Sequence, residues 1–577
     1  MPSIETAIHY CFAAGVVAMV AMCVVLGIQV LTLGTQENQA RNKERVRSAT
    51  APDTSSHEAY YVGFFHPYPN SGGGGERVLW TMIKAIQERY PYIVSVIYSG
   101  DNIDRDALVA NARARFGVDI RTETVFVVEV TRRWWIEHKF RRLTLLMQSV
   151  GSVWLACQAV HRFCPDVFVD TVGFAFTYPL LRLLTARIPV VSYTHYPTIS
   201  SDMRRAVSSR EAGVNNDATV ARSATMTALK SAYYAGFGYL YAVAGSFAST
   251  VMTNSTWTHN HVVRLFGNPA MTRVVYPPCD TAALLALPVT AGQRLPFVVS
   301  LAQFRPEKNH MLQIEAFAQL LATHPELVAP SDDDEDSLPQ LSAEALLQLA
   351  EEREKFSSSP KSASDTNRNR LPAYPVLIML GGARNIEDEA RAEELRQAAQ
   401  RLGVARQVRV VVNARWPQVL RWLRHAKVGL HTMRDEHFGI SIVEMMAAGL
   451  LTVAHDSAGP KLDIVVPAIR CTTTTDDGSS VPAMPSVAQA EAFLAMREDK
   501  NKEKGPSFPV GMLATTADEF ARQLAAVLAV DGVVARAICQ AARDAVAAKF
   551  SEHAFFAAFY RRFGPVVRWL DIQRTDE

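Results

Sequence analysis

The sequence predicts an α/β protein: two doubly wound parallel-sheet domains facing a cleft, preceded by one transmembrane helix. Three observations predict it. Short β-branched runs alternate with amphipathic stretches in two successive series, the pattern of parallel sheets covered by helices. Every chemistry-bearing motif lies just past the end of one of those runs, where open α/β sheets bind ligands. Near the start of the chain, the 24 residues Tyr10–Leu33 are apolar except for Gln29 and Thr32, against about 20 needed to span a bilayer.

Length and composition agree. A chain of 577 residues exceeds the roughly 250–300 at which single cores stop growing. A net charge of +2 gives no reason to expect nucleic acid as a partner. The seven cysteines form no C-x-x-C pair and no zinc spacing, so a reducing compartment is the default.

The elements follow in order. The apolar stretch has Glu5 before it and Arg41, Lys43, Arg45 and Arg47 after it. Basic residues on that side place the long remainder of the chain in the cytosol. Residues 36–58 are polar and turn-rich and read as a tether after the anchor at 1–35. Strands are expected at Tyr60–Phe65, Ile93–Tyr98, Val167–Val169, Val190–Tyr193, Val251–Asn254 and Val274–Tyr276, with helices such as Arg77–Arg89 and Ser152–Arg162 between them. These make a first domain over 59–285. A second, over 295–515, takes strands at Phe297–Leu301, Val376–Leu380, Val408–Val412, Val428–His431 and Leu451–Ala454 and helices at Asn309–Thr323, Glu387–Leu402 and Pro417–Arg424. Residues 330–372 read as an inserted surface segment; its run Asp332–Asp336 is taken as a solvated face, not a metal site. Residues 472–510 read as loop, and 516–577 as closing helices.

Glu436 and Glu444, eight positions apart in Asp435–Gly449, are the central candidates. A helix starting near Ser441 puts Glu436 on the approaching loop and Glu444 in the first turn, both facing one pocket. Ser441-x-x-Glu444 also fits a capping box, which would occupy Glu444 with a backbone N–H. Gly72–Gly75, between a strand and a helix, let the backbone approach a phosphate at a helix N-terminus; a plain turn fits as well. Arg305 and Lys308, at another strand-to-helix turn, suit a diphosphate without a metal, or are solvated surface cations. His195, at the end of a buried strand, suits a hydrogen-bond donor or proton relay; His66 and His437 compete for that role. Arg132–Arg142 mixes Trp134 and Trp135 with cations, fitting either a membrane interface or an ordinary core helix.

Together these motifs resemble the family 4 retaining glycosyltransferases of GT-B architecture, through Arg305-x-x-Lys308 and Glu436-x₇-Glu444. Within that family, FHPYPNSGGGGERVLW, THYPTISSDM, NSTWT, YPPCD, SLAQFRPEKNH and EHFGISIVEMMAAG are similar to the endoplasmic-reticulum α-1,2-mannosyltransferases of N-glycan precursor assembly. The resemblance implies two Rossmann-like domains: an acceptor-side one at 59–285 and a nucleotide-sugar one at 295–515. It implies GDP-mannose as donor and a trimannosyl-chitobiose diphosphodolichol acceptor extended by two mannoses. No metal or other cofactor is expected. It further implies a single-pass protein of the endoplasmic-reticulum membrane with cytosolic catalytic domains, in the company of other mannosyltransferases. Catalytic residues would be Glu436, Arg305, Lys308 and His195. Donor-binding residues would be Gly72, Gly73, Gly74, Gly75, Arg305, Lys308, Glu436, Phe438, Gly439, Ile440 and Glu444. Another lipid-linked or phosphatidylinositol glycosyltransferase of the same fold and an inactive membrane scaffold are the alternatives.

Overall fold

The computed structural model describes residues 36–55, 57–137, 140, 143–184, 188–210, 218–289, 294–329, 341–357, 373–474, 480–498 and 507–575. The expected anchor and the Asp332–Asp336 run lie outside these residues. The chain divides into two compact units, Met1–Pro278 with Glu552–Glu577, and Cys279–Ser551.

The first unit is built on seven parallel strands: β1 (Tyr60–Phe65), β2 (Ile93–Ser99), β3 (Val125–Glu129), β4 (Val167–Asp170), β5 (Val190–Thr194), β6 (Thr250–Thr253) and β7 (Thr272–Val274), in the order β3-β2-β1-β4-β5-β6-β7. β1 and β2 are buried along their whole length, as expected when helices cover both faces of a parallel sheet. Register runs Val62 beside Ser95 on one side and Val167 on the other. The order reverses between β1 and β4.

The second unit repeats the plan with β8 (Leu295–Leu301), β9 (Val376–Gly381), β10 (Val408–Val412), β11 (Ala426–His431), β12 (Leu451–His455), β13 (Ala468–Ile469) and β16 (Gly511–Ala514), in the order β10-β9-β8-β11-β12-β16-β13. Its reversal falls between β8 and β11. The hairpin β14 (Cys471–Thr474) and β15 (Ser480–Pro482) stands outside the sheet.

Four expectations need correction. β3 was not foreseen; it is an edge strand, only partly buried along its length, and carries too weak an alternation to stand out. β7 ends at Val274, not Tyr276, because Pro277 and Pro278 offer no N–H and push the preceding residue away from further pairing. Residues 472–510 are not all loop: they hold β15 and a helix at Val487–Glu498. The supposed tether contains a helix, Gln36–Ala49, docked on the first unit. Val46 is buried, Lys43 Nζ lies 3.0 Å from Asp166 Oδ1, and the Arg45 guanidinium sits over the Phe126 ring.

The closing helices divide. Ala517–Ala529 and Gly532–Lys549 belong to the second unit, whereas Glu552–Thr575 belongs to the first. Phe555, Phe559 and Phe563, spaced four apart on one stripe of that last helix, are buried with Val78, Met82 and Ile86 of the Gly74–Arg89 helix. The insertion contains a helix at Ala343–Ser357 whose Leu346, Leu347 and Ala350 are buried, and whose Glu351 and Glu354 pair with Arg421 and Arg424.

Arg294, just ahead of β8, fixes the start of the second sheet. Its guanidinium donates to Leu423 O and Ala426 O at 2.8 Å each, and also to Ala448 O. It thereby meets the carbonyl ends of two helices, Trp416–His425 and Ile440–Ala447, where a cation is favoured. Arg294→Met strands those carbonyls and is expected to lower unfolding stability by roughly 2–4 kcal/mol, read from denaturant midpoints with the urea slope unchanged.

Candidate active site

In the second unit the chain leaves β8 through a turn at Pro306–Lys308, and Asn309, at φ 49°, swings it into the helix His310–Thr323. Next door it leaves β11 at His431, runs through the loop 432–439 and enters the helix Ile440–Ala447. The two loops converge because β8 and β11 are neighbours at the reversal of strand order, which is where such sheets hold ligands.

Lys308 Nζ donates to Glu436 Oε2 at 2.5 Å and lies 3.1 Å from Met433 Sδ. His431 Nε2 stands 3.3 Å from the same carboxylate oxygen. Glu436 is 13% exposed and Lys308 21%. Burial on its own would raise the Glu436 carboxyl; the His431 imidazole and the Lys308 ammonium more than offset it and hold the group well below the usual carboxylate range. An ionised carboxylate is therefore kept in a largely buried place at neutral pH.

The loop around it is stitched to the segments that follow β8 and β12. Thr432 Oγ1 donates to Asn309 O at 2.9 Å and accepts from Gln313 Nε2 at 3.1 Å. Asp435 N–H donates to Ser457 Oγ at 2.8 Å, and Gly459 N–H donates to Glu436 O at 2.9 Å. A Cβ at Gly459 would meet Phe438 O at 2.5 Å, so only glycine permits this approach of the β12 loop. Gly439, at φ 113°, makes the bend into the helix.

That helix starts at Ile440, capped by Gly439 without a side-chain hydrogen bond. The expected start near Ser441 is thus corrected: Glu444 sits beyond the first turn, and the capping box is not formed. Glu444 is partly exposed, on the same helix face as Ile440 and Ser441. The Phe438 ring turns inward and packs edge-on against Phe550 at 5.4 Å. The Arg305 guanidinium lies 3.7 Å from Glu307.

The first unit holds a second cluster, also beyond the carboxyl ends of its strands. His66 follows β1, Thr171 follows β4 and His195 follows β5. His66 Nδ1 lies 2.7 Å from Thr171 Oγ1, and its Nε2 lies 3.2 Å from Glu76 Oε1. Glu76 Oε2 accepts from Gly73 N–H at 2.5 Å, capping the Gly74–Arg89 helix. Burial raises the Glu76 carboxyl, but the His66 hydrogen bond and charge and the cap leave it below its ordinary value. The glycine-rich turn therefore already carries one carboxylate at its helix N-terminus. Gly75 faces His195, whose Nε2 would lie 3.4 Å from a Cβ placed there.

The structure thus joins Lys308 to Glu436 in one unit and Gly75 to His195 in the other. Sequence reasoning missed His431, Thr432, Ser457, Glu76 and Thr171. Glu76 carried only a weak signal, an acidic residue in the first turn of a helix; the others show only as residues at strand ends. The aromatic–basic stretch splits: Trp134 is 52% exposed, whereas the Trp135 backbone and Cβ lie against Gly151; 138, 139, 141 and 142 lie outside the described residues. Among the described residues no group of three or more His, Cys, Asp or Glu is placed to hold a metal ion.

Two units of this topology, with a lysine–carboxylate pair beyond the carboxyl ends of the second sheet's strands, place a charged site where open α/β sheets hold ligands, and the family matches give its class as a glycosyltransferase. Residues 361–503 match the family "Glycosyl transferases group 1" and residues 59–266 match "ALG11 mannosyltransferase N-terminus". Over 428 residues, 74% of this chain and 78% of the other, the sequence is 38% identical to the human GDP-Man:Man(3)GlcNAc(2)-PP-Dol alpha-1,2-mannosyltransferase. It is 35% identical to the Neurospora crassa protein of the same name over 461 residues, 74% of each chain. The chain belongs to this family of α-1,2-mannosyltransferases. Among solved structures, sucrose-phosphate synthase from Thermosynechococcus elongatus aligns over 89% of this chain and all of its own with a TM-score of 0.53 and 13% identity. Trehalose 6-phosphate synthase from Burkholderia multivorans does so with the same coverage and score and 12% identity. At such identities the likeness shows the fold alone: two Rossmann-like units of the GT-B class.

His310, 4% exposed beneath this site, supplies a pH test. Burial foremost, then the neighbouring His431, pulls its imidazole from the ordinary 6.5 down to about 4. The folded chain favours the neutral ring while the unfolded chain protonates near 6.5. This stabilisation is whole above that pH and is lost as pH falls toward 4. Stability of the order of 3 kcal/mol is expected to disappear over that interval. His310→Gln should flatten that part of the profile, as measured by unfolding at a series of pH values.

Proposed function

We propose that this chain transfers α-1,2-linked mannose from GDP-mannose to a trimannosyl-chitobiose diphosphodolichol, adding two residues in N-glycan precursor assembly. The names of its relatives support the donor and acceptor, and the Lys308–Glu436 pair at the β8–β11 reversal is the observation that carries the chemistry. Lys308 and Arg305 neutralise the leaving GDP as negative charge grows on its phosphate, the largest catalytic effect to expect here. Glu436 orients the mannose and Glu444 hydrogen-bonds the ribose. The backbone of Phe438, Gly439 and Ile440 lines the donor seat. Gly72–Gly75 and His195 serve the reaction from the first unit, His195 on the acceptor side.

Transfer is proposed to retain the anomeric configuration by front-face attack. The C1–phosphate bond breaks, the acceptor hydroxyl oxygen bonds to C1 on the same face, and its proton passes to the departing phosphate oxygen. No metal takes part. A trapped mannosyl–enzyme adduct would overturn this route.

The setting proposed is the cytosolic face of the endoplasmic-reticulum membrane, with one N-terminal span, among other mannosyltransferases of the pathway. Among the described residues no single helix is long and apolar enough to cross a membrane. Two described features support membrane attachment. The Gln36–Ala49 helix joins the apolar Tyr10–Leu33 stretch to the first unit through the docking contacts above. The Ala224–Gly245 helix leaves Met226, Leu229, Tyr239 and Val243 exposed, Tyr239 at 70%, suited to a bilayer surface.

Detergent-purified protein given GDP-mannose and a phytanyl-linked trimannosyl acceptor is expected to add two hexoses by mass. Glu436→Ala should lower the rate by about 10²–10³-fold, and a chelator should leave it unchanged. No transfer, with binding of a different sugar nucleotide, would keep the fold and send the activity back to another lipid-linked or phosphatidylinositol glycosyltransferase. In a liposome flotation assay, protein lacking residues 1–35 is expected to float less than the full chain. Adding Leu229→Glu and Tyr239→Glu should reduce flotation further.

A further inference from the structure

The Lys308–Glu436 pair has a third member with no assigned part in the reaction. His431 closes β11, is 2% exposed, and presents Nε2 at 3.3 Å from the oxygen that Lys308 holds at 2.5 Å. Both approaches fall on Oε2; Oε1 accepts no hydrogen bond from the described residues. His431 Nδ1 is buried with no hydrogen-bond partner among them, and Nε2, at its long distance, is not well aligned on the carboxylate. His310, alongside, gives no relief: its own Nδ1 is likewise unpartnered.

Chemistry narrows what such a ring can do. Burying a polar side chain without a partner is unfavourable, so this imidazole is held at a site where only the carboxylate offers an acceptor to one of its N–H positions. Nδ1 has no partner and Nε2 lies 3.3 Å from Glu436 Oε2, so the Nε2–H tautomer is the one that a small rotation of the ring would turn onto the carboxylate. Lys308 differs in kind: a flexible four-carbon stem bears a point charge with three donors. It is the member free to turn toward a diphosphate. A largely buried carboxylate that lost Lys308 would need another donor to stay ionised and in place.

We propose that His431 is a positioning residue for sugar transfer. Carrying its proton on Nε2, it holds Glu436 Oε2 when Lys308 turns to the donor diphosphate, so that Oε1 stays directed at a mannose hydroxyl. This rests on the reading above in which Glu436 orients the donor sugar.

The test uses full-length protein in detergent with GDP-mannose and the phytanyl-linked acceptor, comparing wild type, His431→Leu and His431→Gln. The glutamine amide restores an N–H donor toward the carboxylate; leucine does not. Expected is a fall in kcat of roughly 10- to 100-fold for His431→Leu, with the Kd of GDP within about twofold of wild type and a substantial part of the turnover regained by His431→Gln. Unchanged kcat in His431→Leu, a glutamine variant no better than leucine, or GDP affinity falling in step with kcat would each overturn the positioning role. Absence of transfer by the wild type would instead overturn the assigned activity, and the reason for this role with it.

Discussion

An ionised carboxylate in a largely buried place is the constraint around which the second unit is arranged. Glu436 keeps its charge only because a lysine and a histidine lie within reach of one oxygen, and those groups come from chain segments far apart in sequence. The sheet brings them together. β8 and β11 pair in parallel, with Val428 beside Val298 and Leu430 beside Ser300, so the loops that follow them leave side by side. Everything else in the neighbourhood serves to keep those loops where they are. Thr432 ties one to the other, Ser457 and Gly459 brace the second from β12, and Arg294 fastens the opposite ends of β8, β11 and the helix that follows.

The first unit solves a related problem with different groups. There too a carboxylate, Glu76, is drawn into a crevice at the reversal of strand order and kept ionised, by His66 and by a helix N-terminus. The consequence is a glycine-rich turn whose shape is set by Glu76 and whose open side, at Gly75, faces His195. The two glutamates thus do different work from different loops: Glu76, at the start of the helix after β1, organises a backbone, while Glu436, on the loop after β11, holds Lys308.

Much of the fold was legible because parallel strands buried on both faces need continuous β-branched and aromatic runs, and helices over them need a 3.6-residue stripe. Tyr60–Phe65 and Val408–Val412 are found where they are expected, to the residue. Legibility failed where burial is partial. β3 is an edge strand with a mixed pattern. The Gln36–Ala49 helix is polar apart from Ala40, Val46 and Ala49, so its composition resembles a linker. Glu444 falls just beyond the first turn because Gly439, not Ser441, takes the left-handed bend that starts the helix.

The sequence by itself determined the two series of strands and the residue types gathered at their ends: the paired glutamates, the cations of the β8 turn, the glycine-rich turn and the histidine after β5. These are local properties, set by side-chain periodicity and by the backbone freedom of glycine. Only the tertiary structure decided which of them meet. It set Lys308 rather than Arg305 against Glu436, added His431 from a position indistinguishable in sequence from any other strand end, and sent the last helix back to the first unit. Ion pairing and apolar contact act between whatever surfaces the fold brings within a few ångströms, and a linear pattern shows that a residue seeks a partner without showing which one it finds.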